Sequence, residues 1–137
     1  MYYLYTDGAA SLNNGGLGLV ILNEDKLVLQ YSRHFNNVTN NQMELLSIII
    51  GFKYIKNKID LTVISDSKYC IGCAMLNWKR NKNKKLWNEF DRQFNRLIRL
   101  GCNIIFKHVK GHNGNYWNEY VDNLAVNSKE QWGQIIM

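Results

Sequence analysis

Proline is absent from all 137 residues, and with abundant Asn, Lys and Ile that points to an AT-rich coding genome, such as that of a phage, a virus or a low-GC bacterium. Also missing is any run of about 18 apolar residues, the length a membrane span requires. Met1 leads straight into Tyr2-Tyr3-Leu4-Tyr5, without the basic flank and apolar core of a secretion signal. Both absences predict a soluble protein of the cytoplasm with no membrane contact. Cysteine is sparse and odd in number: Cys70, Cys73 and Cys102 cannot complete a disulfide framework, in keeping with a reducing compartment. Acidic residues are outnumbered, 11 against 17 Lys and Arg, giving a net charge of +6 and a pI near 9.3. That balance favours polyanions, and nucleic acid is the first partner to test, although part of it is ordinary lysine-rich solubility. No repeat, linker or low-complexity tract divides the chain. A single domain over residues 1–137, acting as a monomer, is expected from this length and a 46% hydrophobic content.

Local patterns place the elements. Tyr2 to Thr6 is a short aromatic strand that Asp7-Gly8 should end, with Tyr3, Tyr5 and Asp7 on one side. The loop Ala9 to Gly16 offers Asn13-Asn14-Gly15-Gly16 for positive φ and a hairpin into a strand over Leu17 to Leu22. A third strand follows near Leu27 to Phe35. Thr39-Asn40-Asn41-Gln42 has the form of a helix start, with Thr39 or Asn40 as cap and Gln42 completing a capping box. From Gln42 to Lys56 the pattern is apolar almost all round, so this helix should be central, with Glu44 in its first turn. Leu61 to Ser65 reads as a strand ending at Asp66, followed by a helix from Lys68 to Leu76. A second helix, about Lys84 to Leu100, carries Leu86, Phe90, Phe94, Leu97 and Ile98 as its apolar stripe and stops at Gly101. Asn103 to Val109 is a fifth strand, and Asn115 to Ser128 a last helix; the tail from Lys129 has little pattern. The sum is an α/β fold, a mixed sheet with helices on its faces.

Cys70-x-x-Cys73 and His108-x-x-x-His112 imitate a Cys2His2 zinc set. The cysteines fall inside a helix, and the gap to His108 is far longer than compact finger spacing, so structural zinc is set aside. A redox role fails as well, because the first cysteine is not at a helix start. All three read as small buried residues.

Four acids stand where elements begin or end: Asp7, Glu44, Asp66 and Asp122. Taken singly, Glu44 is ordinarily a helix-dipole partner and Asp66 a helix cap. If the first and fourth strands are neighbours, however, all four converge at one edge of the sheet. Carboxylates so packed repel one another and raise each other's pKa unless divalent cations intervene. An all-oxygen donor set suits Mg²⁺ or Mn²⁺, and two such ions serve hydrolysis of a phosphodiester. Asn77-Trp78-Lys79-Arg80-Asn81-Lys82-Asn83-Lys84-Lys85-Leu86-Trp87 is a dense basic segment flanked by tryptophans. It is either a solvated face or a groove for a phosphate backbone.

Thr6-Asp7-Gly8, Thr39 to Glu44, Ser65-Asp66-Ser67 and Lys110-Gly111-His112-x-Gly114…Asn118-Glu119-x-x-Asp122-x-Leu124-Ala125 resemble, in order, the signature blocks of type 1 ribonuclease H. The resemblance spans Thr6 to Ala125. It implies a five-stranded mixed sheet of order 3-2-1-4-5 flanked by helices. It also implies endonucleolytic, two-metal-ion hydrolysis of the RNA strand of RNA–DNA hybrids, leaving 5′-phosphate and 3′-hydroxyl ends. Asp7, Glu44, Asp66 and Asp122 match the family's metal-binding acids, with Asp7 shared by both ions, and no protein nucleophile is required. His112 matches the loop histidine that assists proton transfer or product release. Asn40 and Asn41 match minor-groove contacts, where amides read the 2′-hydroxyl as donor and acceptor. Asn14 or Asn13 would supply a third. Thr39 and Asn83 match DNA-strand phosphate contacts, Trp78 an aromatic against the DNA strand, and Lys82, Lys84 and Lys85 the basic protrusion.

The chain also departs from the pattern. The glycine loop after Asp7 is short, Asn37 stands where many members carry arginine, which Arg33 would replace, and the basic protrusion is cut to about Trp78 to Lys85. No hybrid-binding domain is expected ahead of Met1. Two rivals are an integrase-like strand-transferring nuclease and a binding module without catalysis. The first usually uses three acids and lacks the Thr39 to Glu44 block; the second has no use for four.

Overall fold

Alternation along β1 (Tyr2–Ser11) sends Leu4 to one face of the sheet and Tyr3 and Tyr5 to the other, and each face builds its own core. The computed structural model describes residues 1–12, 14–76, 78–111, 114–128 and 134–136. In it β1 pairs antiparallel with β2 (Asn14–Asn23), which pairs antiparallel with β3 (Lys26–Asn36). On its other side β1 runs parallel to β4 (Asp60–Ser65), and β4 runs parallel to β5 (Asn103–His108). The expected order 3-2-1-4-5 is therefore present. A short β6 (Gln134–Ile136), from the tail that carried no sequence pattern, extends the sheet antiparallel to β3.

The first hairpin corrects the sequence reading. β1 does not end at Asp7: it pairs with β2 as far as Ser11↔Asn14, and Gly15 and Gly16 lie in extended strand. Positive φ falls instead at Leu12 (φ 50), a fully solvated position. What ends near Asp7 is the parallel pairing with β4, whose last register pair is Thr6↔Ser65. Asp7 is thus a mid-strand residue at the point where one neighbour stops.

Helix α1 (Asn40–Lys53) crosses the Leu4 face and buries Met43, Leu45, Ile48, Ile49 and Phe52, as its all-round apolar pattern predicts. Thr39 is the N-cap: its hydroxyl accepts from the Gln42 N–H at 3.2 Å while Gln42 Oε1 accepts from the Thr39 N–H at 2.9 Å, the reciprocal box expected from the sequence. The helix starts two residues before Gln42 and stops three before Lys56. Glu44 consequently lies beyond the first turn, where dipole stabilisation has faded.

Helix α2 (Lys68–Met75) follows β4, and α3 (Lys84–Arg99) packs on α1. Of the expected stripe of α3, Phe90 and Leu97 are buried and Leu86 and Phe94 pack against the core; Ile98 departs from it, at 46% exposed, and Trp87 and Gln93 are buried in addition. Phe90 meets Phe52 of α1 at 5.6 Å between ring centroids. Arg96 donates to the Phe52 and Ile55 carbonyls at 2.7 and 3.0 Å, which ties α3 to the last turn of α1 and the residues after it. Gly101 (φ +92) ends this stretch as expected. Helix α4 (Tyr116–Ser128) covers the opposite face, with Val121 packed on Val20 and Leu22. Among the described residues no helix is long and apolar enough to cross a membrane, and Cys70, Cys73 and Cys102 are buried free thiols, Cys70 being pushed up to about 12 by burial.

Candidate active site

Two glycines let the helices come close enough to deliver acids to the sheet. At Gly8 a Cβ would stand 2.4 Å from the Glu44 backbone nitrogen, so the start of α1 lies directly on β1. Gly18, the register partner of Asp7, is where α4 approaches: a Cβ there would be 2.5 Å from Leu124 Cβ and 2.8 Å from the Val121 carbonyl oxygen. Asp7 shares the face of Tyr3 and Tyr5, which is the face α4 covers, and its carboxyl hydrogen-bonds to Asp122.

Asp66 and Glu44 close the group. Asp66 follows the last residue of β4, but it does not cap α2; Ser67 does, accepting from the Cys70 N–H at 3.1 Å. The Ser67 side chain also bonds Glu44. Asp7, Glu44 and Asp66 each offer a carboxylate oxygen, and these atoms all lie within 4.8 Å of one another. The ordinary explanations for Asp66 as a cap and Glu44 as a dipole partner therefore both give way.

Electrostatics follow from this crowding. Burial first, then the charges of Asp66 and Asp122, push Asp7 up to about 9, against a partial offset from the Gly8 N–H that donates to its Oδ1 at 2.9 Å. Burial pushes Glu44 up to about 6, with Asp66 adding to the rise. Asp66 is also raised, by burial and by Asp122, and its bond to Asp7 and the nearby His108 offset this in part. Among the described residues no lysine or arginine forms an ion pair with any of the four. Hard oxygen donors, mutual repulsion and no paired lysine or arginine among the described residues suit a divalent metal.

Other expected residues are placed less uniformly. Asn40 accepts from the Ala10 N–H, which fixes the start of α1 to β1. Asn41 is exposed beside it, and Asn14, at the start of β2, is exposed as well. Trp78 is 49% exposed and lies over Gly72. Trp87 does not flank a groove: it is buried, and Arg80 stacks on it at 4.3 Å while pairing with Asp91 at 2.8 Å. Lys82, Lys84 and Lys85 are exposed. Asn83 (φ 60) donates to the Tyr69 hydroxyl at 3.1 Å and accepts from Gln42 Nε2 at 3.3 Å. Sequence reasoning missed Tyr69, although Asp66-Ser67-Lys68-Tyr69 puts it one helical turn from a site acid. His112, Asn13 and Asn77 lie outside the described residues; Gly111 is near enough to Asp66 that a Cβ would meet its Oδ2 at 3.0 Å.

Four acids in this order, carried on β1, α1, the end of β4 and α4, coincide with a match to the RNase H family model over residues 1–130. The chain belongs to the ribonuclease H family. It is 34% identical to a ribonuclease H of Trichodesmium erythraeum, over 93% of this chain and 88% of that protein. With a ribonuclease H of Francisella philomiragia the identity is 38%, over 88% and 86%. Among solved structures the fold is similar to RNase H1 from the halophilic archaeon Halobacterium salinarum (TM-score 0.75, 22% identity, 93% of this chain and 96% of that one). LC11-RNase H1 in complex with RNA/DNA hybrid is also similar (TM-score 0.70, 21% identity, the same coverages). The protein is thus an endoribonuclease of the hydrolase class, with an acidic cluster able to take a metal.

Proposed function

We propose that this ribonuclease H cuts the RNA strand of RNA–DNA hybrids by a two-metal mechanism, leaving 5′-phosphate and 3′-hydroxyl ends, and works as a monomer in the cytoplasm. The observation that carries the reading is the gathering of Asp7, Glu44 and Asp66 oxygens within 4.8 Å, with Asp122 bonded to Asp7. Asp7, Glu44, Asp66 and Asp122 would hold two divalent ions, Mg²⁺ or in its place Mn²⁺. When bound, such ions supply acidified water and neutralise charge that builds on the phosphate and the departing 3′-oxygen. The chain's own part is positioning. Each acid is carried on or directly beside a strand or helix, so the donor geometry needs little reorganisation. His112 is assigned proton transfer at the leaving group or help in product release.

Substrate choice is assigned to the start of α1 and the hairpin. Asn40, Asn41 and Asn14 or Asn13 would read 2′-hydroxyls in a wide minor groove. Thr39 and Asn83, the latter with its second amide hydrogen, would contact DNA phosphates, and Trp78 would lie against the DNA strand. Lys82, Lys84 and Lys85 favour a phosphate-binding arm over a solvated face for a specific reason. Lys84 and Lys85 open α3, where cations oppose the helix dipole, and the Asn83 side chain makes no cap bond. Such a start costs stability and attracts anions.

The test is cleavage of a labelled RNA–DNA hybrid beside duplex RNA and duplex DNA in Mg²⁺ and in Mn²⁺. Hybrid alone should be cut, and Asp66→Asn should bind it without cutting. Wild-type protein that binds the hybrid and never cuts it in either metal refutes the enzyme reading.

A further inference from the structure

We infer that Tyr69 is a positioning residue whose one hydroxyl fixes the basic arm, residues 78–85, relative to the substrate-reading start of α1; this rests on the hybrid-cleaving reading above. The hydroxyl accepts from Trp87 Nε1 at 2.8 Å and Asn83 Nδ2 at 3.1 Å, and donates to the Lys82 carbonyl at 3.4 Å. Two acceptances and one donation fill a phenol's capacity. From Asn83 the path continues to Gln42 Nε2 at 3.3 Å, and the same Gln42 side chain closes the capping box on Thr39. A chain of hydrogen bonds therefore runs from α2, one turn past Asp66, through the arm to Thr39, the residue just before Asn40 and Asn41.

Satisfying the buried Trp87 N–H explains one of the three bonds and leaves the other two without a reason. Both of those hold the arm. Asn83 is in a left-handed conformation, an unfavourable one even for Asn, and its amide faces Tyr69 and Gln42 rather than the open N–H groups of α3. Arg80 fixes the arm at a second point, through Asp91 and the Cys73 carbonyl at 3.2 Å. With Arg80 held this way, Lys82, Lys84 and Lys85 project from a segment tied at both ends, which lowers the ordering cost of gripping a phosphate backbone.

Tyr69→Phe keeps the ring, which meets Trp87 edge-on at 6.0 Å, and removes only the hydroxyl. In steady-state cleavage of a fluorescein-labelled RNA–DNA hybrid, KM should rise about 10-fold with kcat within about twofold of wild type. The salt dependence of hybrid binding should become shallower. Asn83→Ala should raise KM similarly, and the double variant should be no worse than the poorer single one. A purely structural tyrosine would instead lower the active fraction and the unfolding temperature at unchanged KM, and that result overturns the inference. So do an unchanged KM and fully additive variants. Equilibrium binding of the same hybrid separates this from failure of the enzyme reading: if wild type binds without cutting, a Kd raised about 10-fold by Tyr69→Phe still supports the positioning role. An unchanged Kd refutes it, and a wild type that does not bind hybrid refutes both.

Discussion

Asp7→Asn should make the metal-free protein more stable, by an amount that grows with pH. In the folded state Asp7 is pushed up to about 9, against an ordinary aspartate value of 3.8. Between those values the folded chain holds a proton that the unfolded chain has released. The sign is then fixed: the unfolded state binds fewer protons, so stability falls as pH rises. One such proton lowers it by about 1.4 kcal/mol per pH unit. Between pH 6 and pH 8 the Asp7 contribution comes to ~2.7 kcal/mol, and Glu44, pushed up to about 6, is present in both proteins and so drops out of their difference. Asparagine is nearly isosteric and does not titrate, so it removes this slope. In EDTA, the Tm advantage of Asp7→Asn over wild type should widen by about 10 °C from pH 6 to pH 8. Mg²⁺ should close the gap, since a ligand at about 100 times its Kd stabilises the wild type by ~2.7 kcal/mol, while the variant has lost a ligand. Thermal unfolding by circular dichroism at the two pH values, with EDTA or Mg²⁺, measures all of this. Parallel pH dependence of the two proteins in EDTA would refute the claim that Asp7 is held protonated by burial and its acidic neighbours.

Gly18→Ala should push α4 away from β2 and carry Asp122 from Asp7, because the new Cβ would meet Leu124 Cβ at 2.5 Å. Overpacking of that kind costs about 1–3 kcal/mol, and isothermal titration should show weaker Mg²⁺ binding. Lys82→Ala with Lys84→Ala and Lys85→Ala should raise thermal stability slightly, because two cations leave the start of α3, and reduce the salt slope of hybrid binding by about one unit per lost phosphate contact. An unaltered slope would return the segment to a solvated face. Trp87→Ala should lower stability by about 3–5 kcal/mol in urea unfolding, as expected of a core residue and not of a groove-lining one.

The acids were legible in the sequence because their chemistry is specific: Asp7, Glu44, Asp66 and Asp122 had no use in common until strands one and four were set side by side. The capping box at Thr39 and Gln42 was legible for the same reason, a local pattern with a local cause. What periodicity could not show was tertiary. Trp87 beside lysines looks like a stacking residue, and its burial depends on Phe90 beside it and on Arg80 above it. Asp7-Gly8 looks like a turn, and its continuation as strand depends on pairing with Gly18 and Leu17 of β2. The β6 strand has no alternation to read, since it is too short and is defined by its partner β3.

Gly8 and Gly18 tie these points together. A glycine inside a strand weakens it, having no side chain to pack, yet both stand in strands and flank Asp7 in space, Gly8 next in sequence and Gly18 across the register. Each lacks a Cβ where a helix passes, Gly8 under α1 and Gly18 under α4. Helices on opposite faces of one sheet cannot bring their side chains together through it; they can do so around the point where the parallel pairing of β1 with β4 stops. That point is Thr6↔Ser65, one residue short of Asp7 and of Asp66. The acids therefore meet where the sheet leaves a gap, and the two glycines set how closely Glu44 and Asp122 approach from either side.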